Sequence, residues 1–284
     1  MRTELAPDIY VETSFEGGNV GLVMTERGGL LVDTPMLPPQ AHEWQATLRQ
    51  LGANPYYAIV NTDYHPERMM GNGLFMPTRV FGHEAALKPI AKYDGALQEQ
   101  FSARYQESHP DVAQEILAMR IVGPEIAVGD GVTLYLGERR VEVLFLEGHT
   151  PASLGVYLPK ERVLFAGDNI THNEHPALFQ ANSLAWLNTL ERIQAMDVEI
   201  IVPGSGAPCG KEVLEPLHAY IVEMRARVQE LFQKGASRRE CVEKVGMLEF
   251  FPVPREQEAL IKRRRRESIE RVYTEVRLAM RKRR

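Results

Sequence analysis

The chain has 284 residues, 44% hydrophobic and 25% charged, the mixture of an ordinary globular protein with one large domain or two small ones. A formal net charge of -5 argues against a surface built for nucleic acid, and no apolar run is long enough to cross a bilayer. The two cysteines, Cys209 and Cys241, form neither a disulfide framework nor a metal-type pair, and residues 1–8 lack the apolar centre of a secretory signal, so a reduced, cytoplasmic setting is expected.

Asp8 to Ser14, Val20 to Thr25 and Gly29 to Asp33 read as short strands, separated by the turns Gly17-Gly18-Asn19 and Glu26-Arg27-Gly28-Gly29. Pro38-Pro39 open a helix that runs to about Leu51 and is closed by Gly52. Tyr56 to Val60 is the next strand, which completes a βαβ unit. It runs into Asn61-Thr62-Asp63-Tyr64-His65-Pro66-Glu67-Arg68. Charged groups at the carboxyl end of a buried strand stand where α/β folds place chemistry. Asp63 and His65 are two apart, so an extended turn presents them on one side, and a carboxylate with an imidazole suits a divalent cation. Taken alone, the same pair is more often just a solvated turn.

Residues 84–120 read as mainly helical, with Pro110 in the middle, and form an insertion that either covers the site or packs as an appendage. From Ile126 the strand pattern returns, at Val132 to Leu136, Val141 to Leu146, Leu154 to Leu158 and Val163 to Phe165. Two polar clusters interrupt it, Glu147-Gly148-His149-Thr150-Pro151-Ala152-Ser153 and Ala166-Gly167-Asp168-Asn169. Ser183 to Met196 is a helix, and Glu199 to Val202 a strand that ends in Pro203-Gly204-Ser205-Gly206. Both halves therefore run strands, helix, strand, a doubled architecture without a residue-level repeat. After Gly210 the chain is helical, over Glu212 to Phe232, Ser237 to Val245 and Glu256 to Met280. The expected division is 1–210, with the insertion, and a helical extension over 211–284. The last helix carries the basic run Lys262 to Arg266, but Glu256, Glu258, Glu267, Glu270 and Glu275 can pair with it. Its stripe of Ile261, Ile269, Val272, Val276 and Met280 suits packing, so a solvated or partner-docking helix, with a homodimer through this region, is expected rather than a nucleic-acid site.

Taken in order, Asn61 to Arg68, Gly148-His149-Thr150-Pro151-Ala152-Ser153, Gly167-Asp168 and Pro203-Gly204-Ser205-Gly206 resemble the metallo-β-lactamase superfamily, as does Leu31-Val32-Asp33-Thr34-Pro35. The likeness covers about Ile9 to Gly210. It implies a four-layer αβ/βα sandwich, two mixed sheets face to face with helices outside. The family's first motif is His-x-His-x-Asp-His; here Asp63 stands for the first His, His65 is kept, Glu67 replaces the Asp and Arg68 the last His. Ser205 replaces the His of the Pro-Gly-His-Gly segment, while His149 and Asp168 are kept. The resemblance thus implies one metal site built from Asp63, His65 and His149 with Asp168, and a second site, at Glu67, Arg68, Asp168 and Ser205, that Arg68 and Ser205 leave badly damaged.

Two imidazoles and one or two carboxylates suit Zn, with Fe or Mn as alternatives. Water on such an ion loses a proton near neutrality and would attack an ester, lactone, thioester or amide carbonyl of a small organic substrate. Glu67 would position that water or act as base, and Asp168 would orient it. Arg68 would supply the charge a second metal gives elsewhere, or pair with Glu67. His172 and His175, close behind Asp168, are candidates for substrate binding or for replacing the missing second-site ligands, against the plainer reading of loop histidines without a role. Asp33 reads as structural, Met69 and Met70 as packing, and Cys209 lacks a base that would make it a nucleophile. Two other functions stay open: a metal-poor protein of this fold that binds a ligand without turnover, and oxidative chemistry at a single iron.

Overall fold

Seven strands form the first sheet in the order of the chain: β1 (Arg2–Ala6), β2 (Ile9–Glu12), β3 (Val20–Val23), β4 (Gly29–Val32), β5 (Tyr56–Val60), β6 (Arg79–His83) and β7 (Ile126–Val128). The computed structural model describes residues 1–93 and 95–282. β1 to β4 are an antiparallel meander, and β4 to β7 pair in parallel. The switch falls at β4 because the Pro38-Pro39 helix, α1 (Pro38–Gln50), carries the chain back across the sheet before β5. β1 has no counterpart among the expected strands: Arg2, Thr3 and Glu4 are exposed, so this edge strand lacks the apolar alternation that marks a strand in sequence.

The second sheet holds β8 (Gly131–Leu136), β9 (Arg139–Phe145), β10 (Leu154–Leu158), β11 (Val163–Gly167) and β12 (Ile200–Pro203), in the order β12-β11-β10-β9-β8. β11 and β12 are parallel and the other neighbours antiparallel. Their crossover contains α6 (Ser183–Ala195), the counterpart of α1 in the other half.

The facing sides of the sheets bury Val11, Val32 and Val60 against Val143, Val156 and Phe165. Gly21 permits this approach, since a Cβ there would lie 2.4 Å from Cε1 of Phe165. Outside the first sheet, Trp44 and Leu48 of α1 cover Leu22, Leu31 and Ile59. Outside the second sheet, α6 is joined by α7 (Leu214–Gln233), α8 (Arg238–Lys244) and α9 (Glu258–Lys282). Trp186, Tyr220, Met224, Ile269 and Val272 are fully buried there. The result is the expected four-layer αβ/βα sandwich.

The stretch after β6 is helical, with α3 (Leu87–Ile90), α4 (Gly95–Ala103) and α5 (Pro110–Ala118) following the short α2 (Pro66–Met69). Pro110 opens α5 rather than interrupting a helix. Phe101, Ile116 and Met119 of this segment pack on Met36, Leu37 and Met70. On α9, Lys262 pairs with Glu258 and Arg263 with Glu267. Arg265 donates to the carbonyls of Val242 and Val245 at the end of α8, where a cation meets the negative end of the helix. Among the described residues, no helix is long and apolar enough to cross a membrane.

Candidate metal centre

The turn after β5 is tied down from behind before it presents any reactive group. Asp33, in the left-handed region at φ 58°, accepts the Thr62 N–H through Oδ1 and the Thr62 hydroxyl through Oδ2, both at 2.7 Å. The Asn61 and Asn72 amides bond reciprocally, and Asn61 also donates to the carbonyl of Arg68. Asp63 closes the turn on itself: its Oδ1 accepts the His65 N–H at 2.7 Å. Pro66 then starts α2, which carries Glu67 and Arg68.

The folds of the two halves bring the ends of β5, β9 and β11 to one place. Asp63, His65, His149 and Asp168 each offer a donor atom, and these atoms lie within 4.8 Å of one another. His65 Nδ1 is 3.0 Å from Asp63 Oδ2 and 3.3 Å from His149 Nε2. His149 Nε2 lies 3.8 Å from Asp63 Oδ2 and 3.9 Å from Asp168 Oδ2. The opposite nitrogen of each ring is engaged away from this point. His149 Nδ1 donates to the Ala177 carbonyl at 3.0 Å, so the neutral ring keeps its lone pair on Nε2. His65 Nε2 stands 3.1 Å from Oε1 of Gln180. Two imidazole nitrogens and two carboxylates converging on one point fit one divalent ion of the zinc, iron or manganese type, once His65 gives up the Nδ1 proton that faces Asp63.

Arg68 fills the neighbouring space. It is buried, and its Nε and Nη2 grip Asp168 Oδ2 and Oδ1 at 3.0 and 2.7 Å, a two-pronged ion pair. Arg68 therefore pairs with Asp168 and not with Glu67. The guanidinium is wedged between backbones: a Cβ on Gly18 would lie 2.4 Å from Nη1, and one on Gly204 would lie 2.9 Å from Nη2. Asn19 fixes that wall, donating its backbone N–H to the Gly204 carbonyl and its side-chain amide to Pro203 and Gly206.

The charges adjust to one another. Burial alone would raise the Asp168 carboxyl, but Arg68 and then His149 outweigh it and hold it below the usual carboxylate range. Asp63 is likewise held low against burial, chiefly by His65. The His65 imidazole, which burial would lower, is pushed up to about 9 by Asp63. His149 is lowered, first by burial. Asp33 is pushed up to about 7 by burial, against the pull of Arg68.

The other expected site residues divide. Glu67 makes no hydrogen bond or ion pair among the described residues, and its charge acts on His65. His172 is half-buried, its Nδ1 3.4 Å from the Ala207 carbonyl on the loop that follows β12. Ser205 donates to Glu174 at 3.5 Å. His175 is placed elsewhere than expected: it is buried among Tyr220 and Phe251 of the C-terminal layer, with Nε2 3.1 Å from the Phe251 carbonyl. After β11 the chain turns outward towards the helices, and that separates His175 from its near neighbour Asp168. Cys209 is paired through its backbone to Ile201, and burial pushes its thiol up to about 11. Sequence reasoning missed the segment 177–181. It supplies the Ala177 carbonyl and Gln180, and places the exposed ring of Phe179 5.7 Å from His65 and 6.2 Å from His149.

Comparison with known proteins bears on the same region. A linear primary-alkylsulfatase from Pseudomonas sp. (strain ATCC 19151) is 22% identical over 262 residues, covering 79% of this chain and 49% of that protein. A hydroxyacylglutathione hydrolase from Mesorhizobium japonicum is 25% identical over 146 residues, covering 48% of this chain and 53% of that protein. The chain thus spans about half the length of these curated relatives. Among solved structures, the sec-alkylsulfatase Pisa1 from Pseudomonas sp. has a TM-score of 0.72 at 15% identity, covering 96% of this chain and 50% of that one. A metallo-beta-lactamase family protein from Thermus thermophilus has a TM-score of 0.67 at 20% identity, with 95% and 93% covered. The sequence pattern of the metallo-beta-lactamase superfamily matches residues 13–205, and the chain belongs to that superfamily.

Proposed function

We propose that this chain is a hydrolase with a single divalent ion, acting on an ester, lactone, thioester or amide of a small organic molecule. The observation that carries the reading is the convergence of Asp63, His65, His149 and Asp168, with the far nitrogen of each imidazole already engaged. Asp63, His65 and His149 would hold the ion, with Asp168 beside them. An ion of this class supplies Lewis acidity and a nucleophilic water near neutral pH.

The residues around it supply the rest. Arg68 keeps both oxygens of Asp168 in a fixed orientation and lends a permanent positive charge where negative charge develops on the substrate oxygen. Glu67, without a partner of its own, is the carboxylate free to take a proton from the attacking water. His172, on the loop that follows Asp168 and against the Ala207 carbonyl, would be a substrate contact. Phe179 offers an apolar wall over the two imidazoles, so an acyl or alkyl group can lie beside the bond to be broken. The relatives named for alkyl sulfates and for hydroxyacylglutathione add sulfate esters and thioesters to the substrates worth testing.

Elemental analysis of the wild type and of His149→Ala, together with turnover of a p-nitrophenyl carboxylate ester and a p-nitrophenyl sulfate, tests the reading. The expected outcome is about one ion per wild-type chain, an affinity at least about 100-fold weaker in the variant, and loss of turnover with it. A wild type that takes up no ion even after reconstitution would replace this reading with the ligand-binding alternative, which the full engagement of Asp168 by Arg68 favours.

A further inference from the structure

We propose that Gln180 is a positioning residue of the ion site, fixing His65 with its Nδ1 lone pair aimed at the ion, and that α9 holds Gln180 in place. The inference rests on the single-ion reading above and deepens it.

A neutral imidazole carries its proton on one nitrogen only, and a ligand nitrogen must be the other. In His65, Nδ1 is the nitrogen that faces Asp63 and His149, so with an ion held there Nδ1 must be the ligand atom and Nε2 must carry the proton. Gln180 Oε1 lies 3.1 Å from Nε2. That oxygen also accepts the Tyr64 hydroxyl. An amide oxygen can only accept, so it favours the Nε2–H form and disfavours the one that would point a proton at the ion. The same segment repeats the device three residues earlier, where the Ala177 carbonyl accepts from His149 Nδ1. One short loop therefore sets the orientation and proton position of both rings.

The loop does not hold itself. Its Leu178 N–H donates to Ser268 Oγ at 2.9 Å, and its Ala181 carbonyl accepts from Arg271 Nε at 2.7 Å. Ser268 is completely buried although polar, on a helix face otherwise lined by Ile261, Ile269 and Val272. A buried hydroxyl in an apolar stripe is costly unless bonded, and its bond here goes to the loop that orients the imidazoles. Asn182 completes the attachment, donating its backbone N–H to the Gly148 carbonyl beside His149.

The test is zinc affinity, read by competition with a chelator, in the wild type, Gln180→Leu, Gln180→Met, Gln180→Glu and His149→Ala. Gln180→Leu and Gln180→Met are expected to weaken zinc binding about 10–100-fold, while Gln180→Glu, which keeps the acceptor, stays within about threefold of wild type. In the zinc-loaded protein, the His65 Nε2–H should give an exchange-protected signal in nitrogen-15 spectra that Gln180→Leu loses and Gln180→Glu keeps. A role in packing alone would lower the melting temperature of all three variants without separating acceptor from non-acceptor. Wild-type affinity in both Gln180→Leu and Gln180→Met would overturn the proposal while leaving the ion reading intact. Unchanged zinc binding in His149→Ala would overturn the ion reading itself, and the proposal with it.

Discussion

The two sides of the Asp168 carboxylate are built on opposite principles. On one side stand His65 and His149, with Nδ1 and Nε2 respectively turned inward and their outer nitrogens engaged by Gln180 and the Ala177 carbonyl. On the other stands Arg68, whose guanidinium grips both oxygens of Asp168 and is closed in by Gly18 and Gly204. The first side holds an exchangeable proton on His65 that a metal ion can replace, and the second holds a guanidinium whose charge is permanent. Substitutions of the family's ligands at Arg68 and Ser205 thus fall together on the side where a guanidinium does the neutralising, and the chain keeps its ligand-type residues where a cation still fits.

The strongest way to break this comparison is Arg68→Leu. It leaves Asp168, which is only partly exposed, without its cation, so a loss of up to about 3 kcal/mol in urea-unfolding stability is expected. A loss below about 1 kcal/mol would mean that the guanidinium is dispensable and the two sides are not different in kind. A smaller effect concerns Asp33, which lies behind both sides and is pushed up to about 7 by burial despite the pull of Arg68. A carboxyl raised above its unfolded value near 3.8 stabilises fully below that value and loses its contribution as pH rises towards 7. Between those limits, the stability of the wild type relative to Asp33→Asn should fall by up to about 1.4 kcal/mol per pH unit. A flat difference across pH 4–7 would mean that more of the Arg68 charge reaches Asp33 than its pairing with Asp168 suggests. The smallest change is Ser268→Ala, which removes the acceptor of the Leu178 N–H. It should cost about 1 kcal/mol of stability and weaken zinc binding by about threefold, measured by the same chelator competition. Lost stability with unaltered affinity would confine Ser268 to holding α9 in place.

What is legible in the sequence is local. Asp33, Asp63, His149 and Asp168 each follow an apolar run that ends in a polar turn, so their place at strand ends can be read from neighbours alone. The helices α1, α6, α7 and α9 announce themselves through apolar spacing, and α1 and α7 also through Pro near the start and Gly beyond the end. What is not legible depends on contacts between distant parts. Gln180 and Ser268 look like ordinary polar residues until the loop meets α9, and the Ala177 contribution comes from a carbonyl that every residue possesses. His175 misleads because nearness in sequence to Asp168 suggests nearness in space, whereas the chain leaves the sheet between them. Arg68 stands out in the sequence as a charge of interest, but which acid faces it is a matter of tertiary geometry. β1 escapes because an exposed edge strand needs no apolar face.

The bond between Leu178 and Ser268 joins residues 90 positions apart. During synthesis both sheets can emerge and pair before α9 exists, since β12 ends at Pro203 and α9 begins at Glu258. The loop that orients the two imidazoles therefore acquires its anchor only when the last helix has left the ribosome. Completion of the centre is a late event in the birth of this molecule, and a chain interrupted before α9 would carry every acid and imidazole of the cluster without the two α9 bonds that steady the loop beside them.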